Sequence, residues 1–262
     1  MEAEEIVALM IPVTFLLLMG VEAIARRGRA WPEIPWWRAK GLAFFIMLMT
    51  INAVLPSLVP PELAQHHLFN GAALGVVGGV LIAYPCVALA TALLHRAYHR
   101  YPLLWRLVHQ LHHSPQRLDI PGAVLFTPLE VILNVVVTFT MMVFALGLDP
   151  VAAAIVGYIA TFYGLFQHLN IRTPRWLGYL IQRPESHSVH HRRGFHAYNY
   201  SDFPLWDILW RTFRNPGEFH GDVGFEHSQA SRIGAMLIGR DVNADTLGPD
   251  NRGRIDRASN PA

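Results

Sequence analysis

Five apolar stretches, each longer than the core of a small domain requires, dictate what this chain can fold into. Residues 6–25 read IVALMIPVTFLLLMGVEAIA. As a helix with about 1.5 Å of rise per residue, such a run spans about 30 Å, the thickness of a bilayer's hydrocarbon core. Further runs cover residues 41–59, 71–94, 128–146 and 151–168. Backbone polar groups in hydrocarbon must be satisfied within their own segment, which makes these runs helices. Composition agrees, with 52% hydrophobic and 15% charged residues. The expected fold is therefore an all-α integral membrane protein, a bundle of about five transmembrane helices. The first run is not read as a signal peptide. Glu2, Glu4 and Glu5 precede it and a basic cluster follows, the reverse of a secretory signal's polarity.

Charge sets the expected orientation. The loop at 26–40 carries Arg26, Arg27, Arg29, Arg38 and Lys40 among Trp31, Trp36 and Trp37, as a cytoplasmic interfacial loop does. A loop this short between two spans argues against nucleic-acid binding. Threading the spans in order puts all 21 Arg and Lys on that side, while the opposite loops hold Glu62, His66, His67 and Asp149. Glu22 is expected to pair with Arg26 one helical turn on. A strong preference for Arg over Lys hints at a bacterial source, hence an inner membrane. The lone Cys86 excludes an intramolecular disulfide and a cysteine-rich metal site.

The chemistry is carried by histidines. His95 and His99 stand four apart, and His109, His112 and His113 fall at i, i+3 and i+4. The same pattern returns at His187, His190 and His191, with His168 at the end of the fifth run. On an α-helix these spacings put the rings on one face, where two imidazoles can reach a common ion. All nine fall on the inferred cytoplasmic side, forming a His-rich helical cap. Nine ligands exceed the four of a structural zinc site and divide as four and five around two metals, in a thiolate-free site suited to Fe, Zn, Cu or Ni. Thr127, Pro128 and Glu130 read as a capping box, which makes Glu130 a cap rather than a ligand. His196, His220 and His227 are expected as ordinary surface or hydrogen-bonded residues, with His196 kept as a candidate ligand.

With those motifs in place, the chain resembles the fatty acid hydroxylase/sterol desaturase superfamily of integral-membrane di-iron oxygenases. HRAYH, HQLHH and HSVHH, with FQHLN and NYSDFPLWDILWRTF, carry the resemblance over about residues 71–216. The segment after the third box is most similar to bacterial sterol desaturase-like members. The resemblance implies a catalytic domain at 71–216, preceded by a transmembrane hairpin at 1–70 and followed by a cytosolic tail at 217–262. It implies two irons held by His95, His99, His109, His112, His113, His168, His187, His190 and His191, with His196 or Asn170 as additional candidates. O2 would be the co-substrate, and a C–H bond of a sterol, fatty acyl or other isoprenoid lipid would be hydroxylated or desaturated. One departure is that many members have His-Pro where this chain has Thr127-Pro128.

Two partners follow. One is the membrane lipid itself, for which the Gly/Ala-rich run at 71–92 leaves room between helices. The other is an external electron donor, such as a ferredoxin or a cytochrome b5-type carrier, since the chain has no flavin, haem or iron–sulfur motif. Arg192, Arg193, Arg211 and Arg214 near the third box would dock an acidic carrier, or equally anionic lipid headgroups. Trp206 and Asp207 read as structural anchors. A metal-binding or transport protein is the competing class, but transport ligands belong at mid-bilayer, where these runs carry almost no ionisable residue. A membrane zinc hydrolase needs only about three protein ligands.

Overall fold

A computed structural model describes residues 1–24 and 28–243. Arg26 and Arg27, and the polar tail from residue 244, lie outside the described residues. The described chain is helical, with one isolated bridge between Arg192 and Val223. Its long helices are α1 (Ala3–Ile24), α2 (Trp37–Ser57), α3 (Gly75–Arg100), α4 (Pro128–Phe139) and α5 (Pro150–Phe166). A 3-10 turn ahead of α3 and a π-helical turn after α4 lengthen these into apolar segments Gly71–Arg100 and Pro128–Ala145. Among the described residues four helices are thus long and apolar enough to cross a membrane. The chain is an integral membrane protein. The expected fifth span, α5, has 17 residues, about 25 Å of axis. Its start is set by Asp149, whose carboxylate accepts from the Val151 and Ala152 amides, with Pro150 at the first helical position.

The helices pack in a ring. α1 lies against α5, α5 against α3, α3 against α4, and α4 against α2. Small residues set the closest approach: Gly79 faces Ala152, and Ala83, Val87 and Val156 form a buried cluster beside them. In a bilayer, where lipid is as apolar as the helices, such close van der Waals packing holds them together. One end of the ring is closed by backbone bonds from Leu68, Phe69, Gly71 and Ala72 to the carbonyls of Phe144, Ala145, Leu146 and Gly147. His67 sits at this end, against Gly147, a helix length away from His95.

Polar side chains organise the other end. Arg26, the expected partner of Glu22, lies outside the described residues; the Glu22 carboxylate accepts from the Ile120 amide (3.1 Å) and the Asn170 amide (2.7 Å), tying the end of α1 to two chain turns. Asp119 caps the short helix Ile120–Ala123 and accepts from the Trp37 indole at 2.9 Å, pinning α2 to the same turn. Residues 217–243, expected as the start of a tail, fold back instead. Phe225, Met236 and Val242 are buried against Leu111, and the Phe225 amide donates to the Ser114 carbonyl.

Glu22→Ala should leave two amides without their acceptor and cost about 2–4 kcal/mol. The check is thermal unfolding of the purified protein in detergent, with a clear fall in Tm expected.

Candidate metal centre

The histidines arrive from four places. His95 and His99 occupy the last two turns of α3. Of the next three, His109 ends a π-helical turn, Trp105–His109, and His112 and His113 follow it; the Gln110 amide reaches back five residues to the Trp105 carbonyl. This corrects the expectation of a plain α-helix. The wider turn rotates His109, His112 and His113 relative to α-helical spacing, a distortion common at functional sites. His168 stands in the turn after α5, and α6 (Pro184–His190) carries His187 and His190 with His191 at its end.

All nine rings converge, and they separate into two nests. Donor nitrogens of His95, His99, His109, His113 and His190 lie within 4.8 Å of one another, as do those of His112, His168, His187 and His191. The stacked rings of His113 and His191, 4.1 Å apart, join the two nests. His196 stands outside both: its Nδ1 lies 3.0 Å from the Nδ1 of His113, behind the ring. Asn170 is not at the site. Its side chain clasps the Arg29 backbone, accepting from the amide (2.8 Å) and donating to the carbonyl (2.9 Å).

The hydrogen bonds behind the rings show what the nests are built to hold. Nδ1 of His95 donates to the Tyr200 carbonyl, that of His190 to the Tyr198 carbonyl and that of His168 to the Gly164 carbonyl, each at 2.7 Å. A carbonyl only accepts, so Nδ1 carries the proton and Nε2 is left as a bare lone pair. Those lone pairs face other nitrogens. Nε2 of His95 and His99 are 3.2 Å apart, of His109 and His113 3.1 Å, of His168 and His187 3.2 Å, and of His187 and His191 3.0 Å. Nε2 of His190 and Nδ1 of His112 are buried with no hydrogen-bond partner among the described residues. Facing nitrogens this close need a proton or a cation between them. Two nitrogens about 3 Å apart match neighbouring positions on one ion at metal–nitrogen distances of about 2.0–2.1 Å. The donor set therefore fits a metal ion in each nest.

Electrostatics agree. Burial, reinforced by neighbouring rings, holds His109, His112, His113, His187, His190 and His191 well below the usual imidazole range. Burial likewise brings His168 and His196 down to about 4. Neutral imidazole is the form that binds metal.

Several supporting groups were not legible as such. Glu130 is neither cap nor candidate ligand; Thr127 alone caps its amide (3.1 Å), and the buried carboxylate accepts from Nδ1 of His109 at 2.5 Å. A carboxylate on the first turn of a lipid-spanning helix is itself the signal, because such a charge must face inward and find a partner. His187 is backed by a chain of amides. Gln182 lies 3.0 Å from its Nδ1 and donates to Gln167, which donates to Asp202. The carbonyls of Tyr198 and Tyr200 are aimed by left-handed backbone at His196, Tyr198 and Asn199, and Asn199 is fixed there by bonds to Ser186 and Arg214. Asp207 anchors this loop by accepting from the Tyr200 and Ser201 amides, and the Trp206 indole donates to the Pro85 carbonyl.

A cavity of about 340 Å³ rises from the nests into the bundle. His95, His109, His112, His168 and His187 line one end; Ile11, Leu48, Met49, Val135, Met142 and Gly157 line the rest.

These features define a membrane protein with two histidine clusters able to hold metal ions at the foot of an apolar chamber. The fatty acid hydroxylase family profile matches residues 80–212, and the chain belongs to that family. No curated protein and no solved structure matches the chain.

Two outcomes follow. Glu130→Gln should weaken metal retention about 10- to 100-fold, read by chelator competition, with the helical fold unchanged. The metal-free protein should lose stability as pH falls from about 6.5 towards 4. There the unfolded chain takes up protons that the buried His168 and His196 refuse, so stability is full above 6.5 and declines below it. Thermal melts across that pH range give the check.

Proposed function

We propose that the chain is an O2-dependent di-iron oxidoreductase that hydroxylates or desaturates a C–H bond of a membrane lipid. Membership of the family supports lipid oxidation as the reaction class. The observation that carries the finer reading is the junction of the apolar cavity with both histidine nests. In this reading His95, His99, His109, His113 and His190 hold one iron, and His112, His168, His187 and His191 hold the other. When bound, the irons supply the O2 chemistry that amino-acid side chains lack.

The protein's own part is positional. Carbonyls, Glu130 and the Gln182–Gln167 pair fix five of the nine rings before metal arrives. Apolar walls from all five long helices keep bulk water from the oxidant and hold one carbon against the nests. His113 is backed by His196 rather than by a carbonyl, which assigns His196 to orienting a ligand.

The site faces the cytoplasm of a bacterial inner membrane in this reading, on the side where the basic residues gather. Electrons come from an external carrier such as a ferredoxin or a cytochrome b5-type protein. Arg192, Arg211 and Arg214 are exposed beside the third histidine motif and suit an acidic carrier, whereas Arg193 is already paired with Asp222 and Glu226.

The test compares lipid extracts of a host with and without the gene. A lipid heavier by one oxygen, or lighter by two hydrogens, should appear with the wild-type chain and vanish with His190→Ala. Unchanged extracts in an aerobic, iron-replete host would contradict the assignment.

A further inference from the structure

A buried metal centre fed from outside needs a place where a carrier can come close to it. Phe126 touches the nest of four from inside the cavity, its ring 4.6 Å from His112. Tyr98 and Tyr200 touch the nest of five from the cavity wall. Among the described residues, Trp105 is the aromatic side chain that touches a nest from outside the cavity. Its ring centroid lies 5.2 Å from that of His99, 5.1 Å from His113 and 6.1 Å from His109. It also lies 5.3 Å from His196, which backs His113. Leu111, Phe225 and Met236 pack against Trp105, yet the indole is only half-buried and so reaches the surface. His113 in turn stacks on His191 at 4.1 Å. A run of touching rings therefore leads from the surface, through Trp105 and His113, to both nests.

The surface around this indole is basic. Arg100 and Arg106 flank Trp105 in sequence, and both are exposed. The Gln110 amide donates to the carbonyls of Arg106 (2.6 Å) and Arg240 (2.7 Å), which brings a third exposed arginine from the folded-back segment to the same place. None of the three pairs with a carboxylate among the described residues. Tyr101 and Leu103 on the same short segment are more than half exposed. Tryptophan, tyrosine and arginine dominate protein–protein contacts, and unpaired arginines around an aromatic suit an acidic partner.

We propose that electrons enter at Trp105, and that Arg100, Arg106 and Arg240 dock an acidic one-electron carrier protein over it. Each encounter passes one electron. The carrier is oxidised by one, a metal ion in the nest of five is reduced by one, and no bond forms or breaks. Trp105 fills the gap between carrier and imidazoles with packed atoms in place of water, through which an electron tunnels poorly. Redox encounters use small contacts, which one short segment and a neighbouring arginine can supply. Anionic lipid headgroups would account for the arginines but not for an indole laid against four imidazoles. The proposal rests on the reading of the chain as an oxidoreductase fed by an external carrier.

The test mixes iron-loaded, full-length protein in nanodiscs anaerobically with a reduced plant-type ferredoxin and follows ferredoxin reoxidation by stopped flow. Arg100→Glu/Arg106→Glu should raise the half-saturating ferredoxin concentration about tenfold and keep the limiting rate, and added salt should act on the wild type in the same direction. Trp105→Ala should lower the limiting rate severalfold and Trp105→Phe should recover most of it, with iron content and the rate of reduction by dithionite at wild-type levels. Unchanged ferredoxin kinetics in the arginine variant or in Trp105→Ala would overturn the proposal. So would a Trp105→Ala protein that loses iron or reacts equally slowly with dithionite, which would make the indole mere packing for the nest. An arginine variant that loses affinity for anionic vesicles but takes electrons as before would give the arginines to headgroups and overturn it too. If Trp105→Ala does not fold, the arginine variant decides. A wild-type chain that takes up no iron sinks the oxygenase reading and this proposal together; one that loads iron and oxidises lipid, with variants indistinguishable from it, sinks this proposal alone.

Discussion

Everything at the histidine end of this bundle depends on holding imidazoles neutral, close and correctly turned. Nine converging rings, seven of them buried, would push the helices apart in a metal-free protein left to relax. They stay because each of six has its rear nitrogen held. Three are fixed by backbone carbonyls, one by Glu130, one by His196 and one by Gln182. Backbone carbonyls cannot rotate away, so they fix the tautomer as well as the ring plane. The cost is moved to the loop at 196–200, where three residues other than glycine adopt left-handed backbone to aim those carbonyls.

The parts legible in the sequence were those with a period or a charge bias. Hydropathy pointed to the spans and spacing singled out the nine histidines, whereas which five and which four gather is visible only in the structure. Local readings fell short where the partner is tertiary. The Glu22 carboxylate serves amides more than ninety residues distant, contacts that no local pattern foretells. Glu130 completes a capping pattern by spacing, but burial in a lipid-spanning helix makes a histidine proton the better partner. Asn170 follows His168 and looked available to a metal, whereas the backbone of Arg29 takes both ends of its amide. Gln167 and Asp202 sit inside the FQHLN and NYSDFPLWDILWRTF motifs, yet their link to Gln182 shows in no spacing, because it exists only once α5, α6 and the following loop are assembled.

The family profile begins at residue 80, so α1 and α2 precede it. They are nonetheless part of the cavity: Ile11 of α1 and Phe45, Leu48, Met49 and Asn52 of α2 form one wall. Phe15 and Phe45 stack at 4.0 Å and bury the seam where the two helices meet above the turn at Ile120. The metal centre is thus built by the matched segment, while the shape of the chamber is set partly by helices outside it.

The central claim is that two ions belong in two nests. It is tested most directly by metal analysis and Mössbauer spectroscopy of full-length protein reconstituted anaerobically with ferrous iron. The account predicts about two irons per chain in nitrogen-rich sites, one of five and one of four imidazoles. A single bound ion, or a chain that refuses iron and holds one zinc, would contradict it.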